Sequence, residues 1–484
     1  MNHLKLSVAF LTTVLVVALG PKVLASAANA PDRPDPTEIP LPEIRTSLGK
    51  LPGPGELPSN WQMPDPLVMI DGTKVTTPEQ WAKRRAEMLR IVEYYGVGQA
   101  PPPPGNVKGT ELMSVLASDH ISRYRLVHLT FGPEQKLSLD IGIIAPATGG
   151  PFPVIISQGG SAPGATILPH LPNGPTQGRG LDVLLPEAMP TGPPVPITNA
   201  PGLGATQPNS GGNAADRLAG QFALQLAHGF AVVLYNNGDA AEDTTLRLPD
   251  GTFAFRSTRF LPAYPGYDWG ILRAWAWGAS RVVDYLVTDP TIDRRVLGIT
   301  GVSRTGKSAV IAGAFDERIT LTLPVVTGGG GLGAFRFSLS DTAANENLDV
   351  MVRKYPNWFS PHLHEFWGQV DKLPFDAHWY LALIAPRGVI ALEGLTDTVS
   401  YAPAVKQAWL AAQPVFKLLG VTDHLGVIYG NHGHAAPTRD DWVDVMNFTD
   451  HTLLSKNVER KALDQFPPVA DGPGPIVTPP SPKN

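Results

Sequence analysis

The feature of this sequence with the clearest chemical potential is a serine in a short turn, Ser303. An apolar run at 296–300 precedes it, glycines stand nearby at 301 and 306, and a helical pattern follows. A strand-turn-helix of this kind exposes the serine hydroxyl above a sheet, where it can act as a nucleophile. Thr305 departs from the usual G-x-S-x-G pattern, which has glycine at that position. The alternative is a serine that only caps the following helix.

Two cations, Arg304 and Lys307, fall within the first turn of the predicted helix. Each is unfavourable there by roughly 0.3–1 kcal/mol, because the N-terminal end of a helix is the positive end of its dipole. We interpret them as groups that face an anionic or strongly polar ligand. Arg304 would stabilise an oxyanion beside the serine, an effect worth about 2.7–4 kcal/mol for one good donor. The alternative is that both are solvated surface charges.

A nucleophilic serine needs a histidine base, and two histidines follow the last apolar run at 425–429. His432 and His434 come after a glycine-containing turn. In the α/β-hydrolase fold the three catalytic residues occur in the chain order serine, acid, histidine, so this position downstream of Ser303 is the expected one. The His432-x-His434 spacing could instead form half of a metal site. Because no matching carboxylate and histidine cluster accompanies it, we expect no metal.

The acid that orients the histidine is expected after a strand between Ser303 and the histidines. The run at 388–392 provides two candidates, Glu393 at its end and Asp397 in the loop beyond. A loop carboxylate can turn toward a histidine, which favours Asp397. Glu393 remains the alternative acid, and Asp397 could also be a residue that only forms a turn.

These residues require a sheet that brings the ends of several strands together. Short apolar, β-branched runs alternate with helical periods, a pattern that predicts buried parallel strands joined by helices. We therefore predict an α/β-hydrolase fold: a doubly wound, mostly parallel sheet with helices on both faces, in a single catalytic domain. The predicted strands are 152–157, 230–235, 296–300, 388–392 and 425–429, and the predicted helices are 215–228, 270–287 and 404–419.

The two ends of the chain differ in composition from its middle. Residues 1–30 have a lysine, an apolar run and small residues, which is the pattern of a secretory signal peptide, with an uncleaved anchor as the alternative. Pro-rich segments at 31–60 and 467–484 indicate a loosely held lead-in and tail. The catalytic domain is predicted at 61–466. It contains a long Pro/Gly/Asn-rich insertion at 159–212, which is either functional or disordered.

Composition limits the possible partners. The 484 residues carry a net charge of −5, with 43% apolar residues and no cysteine. The chain has no basic field for nucleic acid and no membrane-surface helix, so we expect a neutral or small-molecule partner and a monomer. Without cysteine, thiol catalysis, disulfides and lipoprotein anchoring are excluded. We expect a secreted or periplasmic protein that needs no cofactor.

Six motifs follow one another along the chain: Leu67–Trp81, Tyr267–Gly278, Ser303–Lys307, Trp358-Phe359, Leu373–His378 and Leu383–Arg387. In this order they resemble the glucuronoyl esterases, carbohydrate esterase family fifteen, and especially their bacterial branch. The resemblance extends from about Trp61 to about Leu454. It implies a secreted serine esterase that cleaves esters between 4-O-methyl-glucuronic acid on xylan and lignin alcohols.

The resemblance implies a role for each residue of the site. Ser303 matches the family's nucleophile, Arg304 its oxyanion-stabilising arginine and Lys307 the lysine that binds uronate hydroxyls. Glu346 is similar to the glutamate that accepts a hydrogen bond from the sugar. His434, rather than His432, matches the catalytic histidine.

Three departures from the family pattern change the expectations. Val326 stands where fungal members carry the acid, so the acid is expected at Asp397, as in many bacterial members. Val302 and Ala435 replace the cysteines of the fungal disulfide, so we expect packing alone to hold the turn. Val399 replaces a tryptophan that contacts the sugar in relatives. That change leaves open an esterase for acetyl or other carbohydrate esters. Val326 leaves open a carbohydrate-binding homologue with a degenerate site.

Overall fold

The computed structural model describes residues 51–166, 168, 171, 213–337 and 346–458. The predicted signal peptide, the first part of the Pro-rich lead-in, most of the 159–212 insertion and the Pro-rich tail lie outside the described residues. The described end of the lead-in is packed, because Leu51 is buried and the Pro52 carbonyl accepts a 2.6 Å hydrogen bond from the Tyr95 hydroxyl. The described end of the lead-in therefore contacts the predicted catalytic domain.

Within the described residues, nine strands form one sheet in the order β1-β2-β3-β5-β4-β6-β7-β8-β9. The first three strands and β5 pair antiparallel, whereas every pair from β5 through β4 to β9 is parallel. The mostly parallel sheet is thus confirmed. The strands are β1 Lys108–Leu116, β2 Ser122–Phe131, β3 Leu137–Pro146, β4 Phe152–Gln158, β5 Ala231–Tyr235, β6 Ile292–Val302, β7 Leu321–Val325, β8 Gly388–Gly394 and β9 Leu425–Gly430.

Helices cover both faces of this sheet, as predicted. One buried apolar cluster joins the sheet to helices α4, α5, α8 and α9, and two further clusters join it to α2, α3 and α10. Between the two sets, the parallel strands are buried on both sides and therefore consist of apolar runs. The helices are α1 Pro78–Val92, α2 Ala214–Gln221, α3 Ala223–Ala227, α4 Ile271–Leu286, α5 Arg304–Phe315, α6 Leu348–Lys354, α7 Pro361–His364, α8 His378–Ile384, α9 Ala402–Leu418 and α10 Arg439–Thr452.

The topology determines where a site can form. The parallel strands β5, β6, β7, β8 and β9 all end at the same edge of the sheet, and ligands in open α/β sheets bind outside the carboxyl ends of strands. The segments after four of these strands contain Asp243, Ser303, Asp397 and His434. None of the helices in the described part of the chain has both the length and the apolarity needed to span a membrane.

Candidate active site

Ser303 lies in a strained turn between β6 and α5. Its backbone has φ 56° and ψ −119°, a conformation that costs a residue other than glycine of order 1–3 kcal/mol and that clusters at functional sites. The turn is tight enough that a Cβ on Gly301 would lie 2.5 Å from the Thr305 carbonyl oxygen. The Ser303 side chain makes no capping hydrogen bond to α5. Ser303 thus occupies the N-cap position of α5, as the alternative had it, but its hydroxyl does not cap the helix.

Thr305 holds this turn closed. Its hydroxyl accepts a 2.9 Å hydrogen bond from the Val302 amide and donates one of 2.9 Å to the Val302 carbonyl. The Ser303 amide also donates to the Val325 carbonyl of the neighbouring strand, at 2.9 Å. The expectation that packing alone replaces the missing disulfide was therefore wrong. Thr305, which departs from the G-x-S-x-G pattern, thus forms hydrogen bonds that fix the conformation of the turn.

Asp397 and His434 form a hydrogen-bonded pair across the loops that follow β8 and β9. The His434 Nδ1 to Asp397 Oδ2 distance is 2.8 Å, with the aspartate side chain 1% exposed and the histidine side chain 32% exposed. The second oxygen, Oδ1, accepts from the amides of Val399 at 2.8 Å and Ser400 at 3.1 Å. The carboxylate is thus fixed from two sides, and the histidine remains accessible.

The surroundings of Asp397 favour its charged form. Burial alone would raise its pKa, but the hydrogen bond and charge of His434, together with the two loop amides, hold the pKa below the usual value of 3.8. An ionised carboxylate against Nδ1 orients the ring with Nε2 free for a proton transfer. In the described part of the chain, however, no hydrogen bond joins the Ser303 hydroxyl to His434.

His432 and Glu393, the two alternatives, have other partners. His432 Nδ1 lies 2.8 Å from the carbonyl oxygen of Gly433, and its Nε2 lies 3.8 Å from Asp441 Oδ2 on α10. Glu393 is buried within β8, where its Oε2 accepts a 2.5 Å hydrogen bond from the Ser400 hydroxyl. Burial raises the pKa of Glu393 to about 8. Of the two acid candidates, the structure brings Asp397 against His434.

Arg304 and Lys307 are both paired with carboxylates of the chain itself. Arg304 Nη1 lies 2.6 Å from Asp243 Oδ2, and Lys307 Nζ lies 2.7 Å from Glu346 Oε2. The cost of two cations at a helix N-terminus is thus offset within the protein, and it does not by itself require an anionic ligand. The solvated-surface alternative fails for Lys307, whose side chain is 0% exposed.

The Lys307–Glu346 pair is buried beside a run of glycines, 328–331. A Cβ on Gly328 would lie 2.3 Å from Glu346 Oε2, so a side chain there would displace the carboxylate. A Cβ on Gly331 would lie 2.6 Å from Thr327 Cβ and 3.2 Å from Lys307 Cγ. Burying an ion pair generally costs more free energy than burying a hydrophobic pair of the same volume. The pair lies one helical turn from Ser303 and is not expected to add much to the stability of the fold.

Two residues at this edge were not identified as site residues from the sequence. Asp243 contacts Arg304 and also accepts a 2.8 Å hydrogen bond from Trp358 Nε1. Both come from segments distant from Ser303 along the chain. Their position could have been anticipated only in part: Asp243 follows a predicted strand, and Trp358 belongs to a family motif. In the described ranges, no group of three or more histidine or acidic residues could hold a metal ion.

The comparisons with known proteins agree on one family. A family model described as glucuronyl esterase, fungi, matches residues 211–420. The 4-O-methyl-glucuronoyl methylesterase of Neurospora crassa is 28% identical over 413 residues, which are 84% of this chain and 85% of that protein. Both the matched segment and the aligned length include the Ser303 turn and the Asp397 loop.

Similar solved structures share the fold of this chain, and they include a bacterial one. The glucuronoyl esterase catalytic domain from Hypocrea jecorina superimposes with a TM-score of 0.61 at 27% identity, covering 85% of this chain and 94% of that one. A promiscuous CE15 esterase from the marine bacterial metagenome gives 0.59 at 26% identity, covering 82% and 98%. With its α/β-hydrolase fold, this chain is an esterase that resembles the glucuronoyl esterases, carbohydrate esterase family 15, over most of its length.

Proposed function

We propose that this chain hydrolyses 4-O-methyl-glucuronoyl esters of xylan, the esters that join glucuronoxylan to lignin alcohols, through a Ser303, His434 and Asp397 triad. The observation that carries the proposal is the 2.8 Å contact between buried Asp397 and accessible His434, at the edge of the sheet where the strained Ser303 turn also lies. The 4-O-methyl-glucuronoyl methylesterases that resemble this chain supply the substrate class.

The proposed reaction is an acyl transfer in two steps. His434 Nε2 accepts the Ser303 proton while Oγ attacks the ester carbonyl carbon, and the same proton then goes to the departing alcohol. Arg304 and backbone N–H groups stabilise the oxyanion. Water, deprotonated by His434, then hydrolyses the acyl-enzyme to free uronic acid. The missing hydrogen bond between Ser303 and His434 is consistent with this scheme, because such bonds are often long until substrate binds.

The Lys307–Glu346 pair is proposed to recognise the sugar. A buried ammonium and carboxylate next to the nucleophile offer a donor and an acceptor for ring hydroxyls. We expect Lys307→Ala to raise the Michaelis constant for a uronate ester by more than tenfold, since loss of binding that is equal in ground and transition states appears in KM. A small activated acetyl ester, which has no ring hydroxyls, should be affected less. Steady-state kinetics on both substrates measure the difference, and equal losses would indicate a structural role.

Asp397→Asn is expected to lower turnover by about four orders of magnitude while leaving KM nearly unchanged. The amide cannot accept the His434 Nδ1 proton as the carboxylate does, so it favours the wrong tautomer. The measurement is kcat and KM on a uronate ester at neutral pH. Turnover within tenfold of the wild type would contradict the assignment.

Glu393→Gln is the matched control, because Glu393 lies on the same strand end without touching the histidine. We expect it to keep turnover and to change stability. The pKa of Glu393 is about 8 in the fold, against 4.5 for an ordinary glutamate. The protonated side chain therefore stabilises the fold fully below about pH 4.5, and this stabilisation is lost as the pH rises through 8. Glutamine does not ionise, so the variant's unfolding temperature should fall less than the wild type's between pH 5 and 8.5. Loss of turnover in this variant would instead implicate Glu393 as the acid.

Acetyl or other carbohydrate esters are the second candidate substrates, favoured by Val399 at the family's tryptophan position. The test is to assay the purified protein on benzyl glucuronate beside an acetyl ester of a simple sugar. The proposal predicts the larger kcat/KM for benzyl glucuronate. Cleavage of the acetyl ester alone would select the second candidate, and cleavage of neither would favour a carbohydrate-binding homologue.

The remaining expectations from the sequence form part of the same proposal. We propose that residues 1–30 are a signal peptide, that the enzyme acts in a secreted or periplasmic location, and that it is a monomer whose catalytic domain ends near residue 466. The substrate class supports export, because xylan is an extracellular polysaccharide. N-terminal sequencing of protein recovered from the medium or periplasm tests it, and a chain that keeps residue 1 would contradict cleavage.

A further inference from the structure

The guanidinium of Arg304 needs an external restraint to work as an oxyanion donor. It is the first residue of α5, and its side chain is 37% exposed, so the helix alone does not fix its rotamers. An oxyanion donor has to lie about 2.7–3.1 Å from the oxygen it stabilises. A long, partly solvated side chain meets that requirement only if other groups hold it.

The structure contains such a restraint. Asp243 Oδ2 accepts from Arg304 Nη1 at 2.6 Å, while Asp243 Oδ1 accepts from Trp358 Nε1 at 2.8 Å. Trp358 is 1% exposed and stacks on Tyr355 with ring centroids 3.8 Å apart and an interplanar angle of 9°. The Arg304 Cζ also lies 5.2 Å from the centroid of the Trp358 ring. The carboxylate is thus anchored to a buried indole and holds one end of the guanidinium.

The segment that carries Asp243 is itself tied to the tryptophan segment. The Asn357 side chain donates a 2.9 Å hydrogen bond to the Thr244 carbonyl, next to Asp243. The Ile271 amide at the start of α4 donates to the Asn357 carbonyl at 2.9 Å. Two neighbouring contacts therefore fix the backbone on either side of the Asp243–Trp358 hydrogen bond.

We propose that Asp243 is a positioning residue that orients Arg304 toward the oxyanion, with Trp358 as its anchor. This inference rests on the proposed function in one respect, the oxyanion role of Arg304. A guanidinium has five N–H donors, so one contact with Asp243 leaves others for the substrate.

Two opposite effects decide how much Asp243 contributes to the reaction rate. The negative charge of Asp243 disfavours a nearby oxyanion, whereas its hydrogen bond orients the group that stabilises it. Orientation should prevail, because a misplacement of about 1 Å can cost roughly a hundredfold in rate. Removing the charge but keeping the shape of the side chain should therefore slow the reaction.

The test is a double-mutant cycle of Asp243→Asn and Arg304→Ala, with kcat and KM measured on benzyl glucuronate and on a small activated acetyl ester. We expect Asp243→Asn to lower kcat roughly ten- to a hundredfold on both esters with little change in KM. In the Arg304→Ala background the same change should have no further effect, because Asp243 acts only through Arg304.

Asp250→Asn is the matched control, since Asp250 lies on the same segment but is exposed. Its hydrogen bonds to described residues stay within its own turn, from the Thr252 amide at 2.9 Å and from the Thr252 hydroxyl at 2.6 Å. It should leave kcat unchanged. Wild-type kcat in Asp243→Asn, or equal losses in both backgrounds, would overturn the inference. If uronate esters prove to be the wrong substrate, kcat on the acetyl ester still tests the role of Asp243. Failure of the proposed function and failure of this inference are therefore distinguishable.

Discussion

Ser303→Ala is expected to abolish ester hydrolysis, with turnover falling by about six orders of magnitude. The alanine variant has no nucleophile to form the acyl-enzyme, so only binding and oxyanion stabilisation remain. The fold should survive, because the Ser303 hydroxyl makes no helix-capping hydrogen bond whose loss would cost stability. The measurements are kcat on a uronate ester and the unfolding temperature of the same preparation.

A serine outside the site provides the control for this prediction. Ser257 is exposed, and its hydroxyl donates a 2.8 Å hydrogen bond to the Ala254 carbonyl within the short 3₁₀ helix Ala254–Ser257. Ser257→Ala should therefore keep wild-type turnover. Activity of the Ser303→Ala variant within tenfold of the wild type, with the control behaving normally, would remove the basis of the mechanism.

His434→Ala should be about as damaging as Ser303→Ala, because members of a catalytic triad act as a unit and losing the base alone is nearly as costly as losing all three. His432→Ala should be much milder. Its imidazole contacts the Gly433 carbonyl and lies near Asp441, and it makes no hydrogen bond to Asp397 in the described part of the chain.

Parallel assays of the two histidine variants, with circular dichroism as a check on folding, measure this contrast. We expect the turnover of His432→Ala to be orders of magnitude above that of His434→Ala. If a folded His432→Ala variant were as inactive as His434→Ala, the contact with Asp397 would not be enough to identify His434 as the base.

Local patterns in the sequence were sufficient to predict the elements that hold the site. The strand, turn and helix around Ser303 are encoded within about twenty consecutive residues, and the same holds for β8 with Asp397 and β9 with His434. Buried parallel strands need continuous apolar runs, which are readable without a partner. The preference for Asp397 over Glu393 also followed from position, since a side chain within a strand cannot turn as a loop residue can.

The antiparallel side of the sheet was not predicted. β2 alternates between buried and half-buried residues, a pattern that the search for continuous apolar runs did not use. β1 is an edge strand exposed along most of its length. An exposed edge has no buried face to impose a periodic pattern, so its sequence carries little signal.

The partners of the two cations could not be predicted either. Asp243 lies 61 residues before Arg304, and Glu346 lies 39 residues after Lys307. A contact of that range depends on the path of the chain through the fold, and no local pattern encodes it. Thr305 shows a related limit, because it reads as a defect in a motif until the geometry shows its hydroxyl bonding both backbone groups of Val302.

Covalent labelling with a fluorophosphonate, followed by peptide mapping, tests whether Ser303 is an activated nucleophile. A serine activated by a histidine base attacks such a reagent, whereas an ordinary serine does not. Trypsin should release the labelled site as the peptide Val296–Arg304, in which Ser303 is the single serine. We expect one adduct on that peptide, which should be absent in Ser303→Ala and form much more slowly in His434→Ala. Labelling at another residue, or unchanged labelling in Ser303→Ala, would contradict this expectation.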